Sequence, residues 1–272
     1  MTSENKTAED GVNDDALVLR DDHEGIATLT LNRGSKFNAL SSDLMTELKR
    51  ILDQIADDTT VRVVILAAHG KAFCAGHDLK ELGAKDTREA VDALFQQCSD
   101  LMMTVTRLPQ PVIAKVHGIA TAAGCQLVAT CDLAVASSAA QFATSGINVG
   151  LFCATPGVAL SRNVPRKKAM EMLLTGDFID SETALQFGLI NQAVEPEELD
   201  RAVKDFAAKI SRHSPKAIAM GKSLFYRQIN EGLETAYDTA VDTIVDNMID
   251  GDARAGINAF IAKQPMPDWE DR

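Results

Sequence analysis

Basic residues are the scarcer charge in this sequence: 27 Lys and Arg stand against 39 Asp and Glu, a formal net charge of −12. Nucleic-acid phosphates are held by clustered Lys and Arg, so a nucleic-acid surface is excluded, although one local basic pocket is not. Long hydrophobic runs are also missing; no segment approaches the ~20 apolar residues that cross a bilayer as a helix. None of the five cysteines, at 74, 98, 125, 131 and 153, stands at CxxC spacing. A zinc site is therefore not expected, and no other metal is. An odd number of cysteines inside apolar segments does not read as a disulfide framework, so reduced, buried thiols are expected. Met1 to Asp15, MTSENKTAEDGVNDD, has no apolar h-region and no arginine. It reads as neither a secretory signal nor a mitochondrial presequence, and the expectation is an acidic, disordered tail (1–15) on a cytoplasmic protein. A last absence is local: from Leu133 through Met170 this acidic chain has no Asp or Glu at all.

What is present suffices for a full core, with 46% hydrophobic residues in 272. Leu17 to Arg20 and Ile26 to Leu31 read as strands joined by a turn over Asp21 to Gly25. Ser41-Ser42-Asp43 predicts a helix N-cap, with Leu44, Leu48, Ile51, Leu52 and Ile55 on one helical face. Val61 to Ala68 reads as a buried strand, and Asp86-Thr87 as the cap of a helix reaching Arg107. Pro109 and Pro111 stop that helix. Leu133 to Ala136 is a further short strand. Beyond Gly157 the pattern is mostly helical: 165–174, 181–187, 197–211, 215–230, 233–248 and 253–261. Strands alternating with helices, then helices alone, predict an α/β core over 16–200 and a helical region over 201–272. Periodicity alone suggests a doubly wound sheet.

The chemistry centres on Pro111 to Asp132, PVIAKVHGIATAAGCQLVATCD. A β-branched strand, Val112 to Val116, runs through Gly118 into small residues, Ala120 to Gly124, and then into helix-compatible sequence. A strand feeding a small-residue turn into a helix start leaves backbone N–H groups facing outward, where a ligand can reach them. Such groups stabilise negative charge on oxygen. The rival reading, that small residues only let a helix approach a sheet, holds while this stretch is taken alone. A second stretch changes the balance. Val61 to Ala68 turns at His69-Gly70-Lys71 into Ala72-Phe73-Cys74-Ala75-Gly76-His77-Asp78-Leu79, and two loops with one N–H each make a two-donor oxyanion hole.

FCAGHDLKEL and HGIATAAGCQLVATCDLAVAS resemble the two signature segments of the crotonase superfamily, the enoyl-CoA hydratase/isomerase proteins. The resemblance runs from about Leu17 to Lys263, and Phe142 to Lys167 is similar to one particular branch. It implies a spiral of ββα units with C-terminal helices that pack subunits into homotrimers, often paired into hexamers. It also implies a coenzyme A thioester as substrate, with no cofactor beyond that coenzyme A moiety. The oxyanion donors fall on the backbones of His77 and Ala123, the second usually glycine in the family. The catalytic glutamates fall on Gln126 and Gly146, neither of which can act as a base, and the acid-free stretch after Leu133 offers no substitute. The coenzyme A contacts fall on Lys36, Asn38, Ala39, Leu40, Asp78, Leu79 and Lys80, with Phe260 and Lys263 on the last helix. Conventional hydratase activity is therefore not expected. Decarboxylation of a malonyl-type thioester, thioester hydrolysis with water held by Gln126 or His77, and non-catalytic acyl-CoA binding stay open. The His77 imidazole is read as incidental to the backbone role.

Overall fold

The computed structural model describes residues 16–269, so the expected tail over Met1 to Asp15 lies outside the described residues. The chain opens on a hairpin of β1 (Val18–His23) and β2 (Ile26–Leu31). The turn is shorter than the acidic composition suggests: Asp21, Asp22 and His23 pair with Thr28, Ala27 and Ile26. Only Glu24 and Gly25 connect the strands, with φ of 50° and 76°, the positive pair a tight type I′ turn demands. The charges read as a turn are the exposed end of β1, whose burial pattern fades after Leu19.

Helix α1 (Ser42–Ala56) starts where Ser41 accepts the Leu44 N–H, and all five apolar positions read from its periodicity are buried. A repeating unit follows. Strand β3 (Val63–Ala68) turns into β4 (Ala72–Cys74), then α2 (Leu79–Gly83) and α3 (Arg88–Arg107), the latter capped by Thr87. Strand β5 (Val112–Val116) turns into β6 (Ile119–Thr121) and α4 (Ala123–Thr130). Strand β7 (Leu133–Ser137) turns into β8 (Gln141–Ala143) and, past a loop, α5 (Ala154–Asn163). Then come α6 (Arg166–Thr175), β9 (Ile179–Asp180), α7 (Ser181–Gln186), β10 (Gln192–Val194) and α8 (Leu199–Ser211). The chain ends in α9 (Pro215–Gln228), α10 (Leu233–Ile249) and α11 (Gly251–Ile261).

The two strands of each unit enter different sheets. One sheet has the order β1-β2-β3-β5-β7-β10, the other β4-β6-β8-β9. Within them β3, β5 and β7 run parallel, and so do β4, β6 and β8. The architecture is thus a spiral of ββα turns and not a doubly wound sheet. Periodicity misses this because β4, β6 and β8 are only three residues long, too short to show alternation. Parallel strands also place the loops that follow β4, β6 and β8 at one end of their sheet.

Helix α8 buries Leu199, Val203 and Ala207 against Val63, Ile65, Ile113 and Val135. It belongs to the sheet, and the division at residue 200 falls inside it. The helices that leave the sheet begin at Pro215. They are fastened by Asp132, whose carboxylate accepts the Lys222 ammonium at 2.6 Å, the Tyr226 hydroxyl at 2.9 Å and the Val112 N–H at 2.7 Å. Burial holds the Lys222 pKa below its ordinary value, with Asp132 pulling the other way. Beyond this clamp, α10 buries only Thr239 and exposes Leu233, Tyr237, Val241, Ile244, Val245 and Met248.

Candidate functional site

A cavity of about 300 Å³ opens where the loops after β4, β6 and β8 converge. Ala75 and His77 come from the first loop and Leu79 from the start of α2, Ala122 from the second loop and Ala123 from the start of α4, and Ser145, Gly146, Val149, Leu151 and Cys153 from the third loop. Phe95 of α3 and Pro156 of α5 close it. Ligands of parallel sheets gather at such carboxyl ends of strands.

The first loop is sewn to the segment before α1: Ala75 N–H donates to Phe37 O, Leu40 N–H to Gly76 O, and Asp78 N–H to Leu40 O. In a ladder of this kind Gly76 and Asp78 use the groups facing Leu40, so the His77 N–H faces the other way. The second loop lies on that side. A side chain at Gly76, whose φ is +90°, would stand 2.9 Å from Ala122 Cβ and 3.2 Å from Ala123 N. A side chain at Gly124 would stand 2.0 Å from Cys74 O. These two glycines let the loops meet. Ala122 has φ 50° and ψ −120°, a conformation rare for an L-residue, and it turns β6 directly into α4. Ala122 N–H donates to Ala143 O. Among the described residues no acceptor meets the N–H of His77 or of Ala123, the latter being the first residue of α4.

The wall formed by the third loop differs from what a hydratase would need. Gly146 lines the cavity, and its place has no room for a side chain: a Cβ would stand 2.5 Å from Leu151 O and 2.8 Å from Cys153 Sγ. Its φ is not positive, so space and not torsion requires glycine. Gln126 is 5% exposed and does not line the cavity. Its Oε1 is buried without a partner. Among the described residues no Asp or Glu lines the cavity. The nearest acids in sequence are occupied. Asp78 caps α2 by accepting the N–H groups of Lys80 and Glu81. Burial works against the Glu81 carboxylate, but hydrogen bonds from Ser42 and the charge of Lys85 hold its pKa below the usual range.

Not every expected coenzyme contact is free to meet a ligand. Asn38 and Leu40 are fully buried. Asn38 Nδ2 donates to His69 O and Ala72 O, and its Oδ1 accepts the Arg33 N–H, so this side chain builds the loop. Lys36, Leu79 and Lys80 are exposed, and Leu79 lines the cavity. Phe260 and Lys263 are also exposed, but α11 lies away from this cavity. Its neighbour Trp269 offers its carbonyl to Arg62, just before β3, at 2.8 Å, whereas the cavity lies past the far ends of the strands. One chain therefore does not bring Phe260 and Lys263 to its own cavity. Sequence reading missed Phe95, which helical spacing does not set apart from the other apolar positions of α3. It also missed Leu151, Phe152 and Pro156, which only the path of the chain after β8 delivers. All five cysteines are free and buried. Burial pushes the Cys74 and Cys125 thiols up to about 12 and raises Cys153, so none is poised as a nucleophile.

The chain belongs to the enoyl-CoA hydratase/isomerase family, whose model matches residues 21–272. The enoyl-CoA hydratase domain-containing protein 3, mitochondrial, of Xenopus laevis is 46% identical over 93% of this chain and 85% of that protein. This is the branch to which Phe142 to Lys167 pointed. A solved structure of an enoyl-CoA hydratase from Mycobacterium smegmatis shares 54% identity with a TM-score of 0.91, covering 94% of this chain and 99% of that one. The human domain-containing protein 3 structure shares 43% identity with a TM-score of 0.90, covering 93% and 100%. The expectation of a cytoplasmic protein is corrected here: the frog, rat, mouse and human relatives are all named mitochondrial. Location is read by receptors from short address segments and leaves no mark on the fold, so the composition of Met1 to Asp15 was a poor guide.

Proposed function

We propose that this chain binds an acyl-CoA thioester with its carbonyl oxygen between the N–H groups of His77 and Ala123. The observation that supports this is the pair of N–H groups without acceptors, brought together by Gly76 and Gly124 at the mouth of one apolar cavity. Each donor of this kind is worth ~3 kcal/mol to a developing oxyanion in a dry site. The lysines at 36 and 80 suit the nucleotide end, since phosphates favour cationic partners. Phe260 and Lys263 would serve the cavity of a second copy. The exposed apolar face of α10 fits such an assembly, a homotrimer or a hexamer of paired trimers, and light scattering that returns a 29.2 kDa monomer would rule it out.

Hydration across a double bond needs one group to activate water and another to handle the proton at Cα. Among the described residues no carboxylate lines this cavity, so the reading favours a reaction that asks only for a stabilised enolate. Decarboxylation of a malonyl-type thioester is such a reaction. The bond from Cα to the carboxylate breaks, carbon dioxide leaves, its electron pair forms the enolate held by the two N–H groups, and solvent returns a proton to Cα. Thioester hydrolysis would have to rely on His77 to hold a water, because Gln126 does not line the cavity.

Calorimetry with acetyl-CoA and butyryl-CoA tests binding, and isotope-edited infrared spectroscopy tests the donors. The bound thioester carbonyl should absorb at lower frequency than in water. Replacing the Ala123 amide by an ester should reverse part of that shift. Ala123→Pro is unsuited to the purpose, because proline forces the residue before it into extended backbone and Ala122 has φ 50°. No binding at millimolar ligand would overturn the reading.

A further inference from the structure

Two helices carry faces that the fold leaves uncovered, and the two are opposite in charge. On α10, Glu234, Asp238, Asp242 and Asp246 recur every fourth residue, and all are exposed. They follow one edge of the exposed apolar stripe that holds Tyr237, Val241 and Val245. Like charges at this spacing repel and weaken a helix. Among the described residues no ion pair reaches any of the four. The three cations of the adjoining α9 are engaged elsewhere, Lys216 by Asp250, Lys222 by Asp132 and Arg227 by Glu231.

On α6 the sign is reversed. Arg166, Lys167, Met170 and Leu174 share one exposed helical face, while Ala169, Met172 and Leu173 are buried on the other. Lys168, further round the helix, is paired with Glu171, but among the described residues Arg166 and Lys167 have no ion pair. A basic partner would satisfy α10 alone, and an acidic one α6 alone. A second copy of this chain satisfies both, through a contact between unlike patches of the kind that closes into rings.

The place of α6 ties this contact to the cavity. Thr144 Oγ1 donates to Met172 O at 2.7 Å, and Asn148 Nδ2 to Gly176 O at 3.4 Å. Helix α6 is thus fastened to the third loop, and a helix seated on it stands beside the cavity. In a partner so placed, α11 follows α10 after Asp250 alone, and its eleven residues reach about 16 Å further. That is a route by which Phe260 and Lys263 meet a cavity that their own chain does not bring them to.

We propose that the acidic, apolar face of α10 in one copy docks on the basic, apolar face of α6 in the next, and that this contact completes the mouth of the cavity. The proposal rests on the assembly reading above and names the surface that receives α10.

The test is light scattering of the full chain with charge reversal. Asp238→Lys with Asp242→Lys, and separately Arg166→Glu with Lys167→Glu, should each raise the concentration at which the oligomer dissociates by about tenfold or more. All four reversals in one chain should restore assembly, because the faces are again opposite in sign. Butyryl-CoA affinity should fall about tenfold in each dissociated variant and return in the fourfold one. A zero-length carbodiimide cross-linker, applied to native oligomers of mixed heavy-isotope and light chains, should join Lys167 to a carboxylate of α10 between chains. A native oligomer that ignores both reversals, or gives no such cross-link, would overturn the proposal and leave assembly standing. So would dissociation that the fourfold variant does not repair, or that leaves butyryl-CoA affinity unchanged. A native monomer would remove the assembly reading as well. If no thioester binds, that reading falls alone, and light scattering with the cross-link still decides this one. Should a variant fail to fold, the native cross-link decides.

Discussion

The two walls of the cavity are built on opposite principles. On the wall of His77 and Ala123, glycines let two loops approach until backbone N–H groups stand clear of any acceptor. On the wall of Gly146, glycine lets the chain close on itself: Leu151 N–H donates to Gly146 O at 3.0 Å, and Leu151 O with Cys153 Sγ occupies the space of a side chain. One wall spends its small residues on exposing polar groups, the other on removing room. At Gly146, one of the two positions where the resemblance puts a catalytic glutamate, the frame itself has no place for a side chain.

The comparison can be broken at either wall. The largest effect is expected from Gly124→Ala, whose Cβ would meet Cys74 O at 2.0 Å. Two backbones would have to separate, and overpacking of this severity costs ~3 kcal/mol or more. The melting temperature should fall by about 6 °C or more, with thioester binding lost alongside. An unchanged melt would mean that α4 and β4 are not in contact. Gly146→Ala meets Leu151 O at 2.5 Å in a loop that can shift further, so ~1–3 kcal/mol is expected. Restoring glutamates at 126 and 146 together should not create hydration of crotonyl-CoA, followed by loss of the enoyl thioester absorbance. Brisk hydration by that double variant would show that the third loop opens to admit a side chain, and the contrast between the walls would then be false.

The wall that exposes N–H groups was legible from sequence, and the other was legible only in part. FCAGHD and TAAGC carry the small residues that let two loops approach, and the family resemblance, not the spacing, put the donors on His77 and Ala123. The acid-free stretch from Leu133 to Met170 announced that no carboxylate stands at the third loop. What it could not announce is why. Whether Gly146 is a deleted side chain or a filled space depends on Leu151 and Cys153 folding back over it, a contact between residues with no periodic signal. The spiral was hidden for a related reason, since three-residue strands such as β4, β6 and β8 give no alternation to read. Helix faces fared better: the apolar face of α1 was read correctly because fifteen residues make the 3.6-residue period plain. The surroundings of Asn38, Gln126 and His77 were out of reach, because a polar residue in a sequence does not say whether its partners are backbone, ligand or nothing.

Gln126 offers the smallest effect and separates the walls most finely. It lies on α4, its N–H donating to Ala122 O at 3.0 Å, and it is 5% exposed with an unpartnered Oε1. A buried carbonyl oxygen without a donor is destabilising, and an apolar group of similar shape removes that penalty. Gln126→Leu is therefore expected to stabilise the fold by about 1 kcal/mol, the low end of the cost of an unpaired buried group. The melt should rise by about 2–4 °C. If butyryl-CoA affinity stays the same while the melt rises, the amide is a buried residue of α4 with no part in the cavity. If affinity falls while the melt rises, the amide reaches the ligand, and the N–H wall extends one helical turn deeper than the residues that now line it. A lower melt with unchanged affinity would mean that the amide is already paired through its other atoms, and the assignment of an unsatisfied oxygen at Gln126 would be wrong.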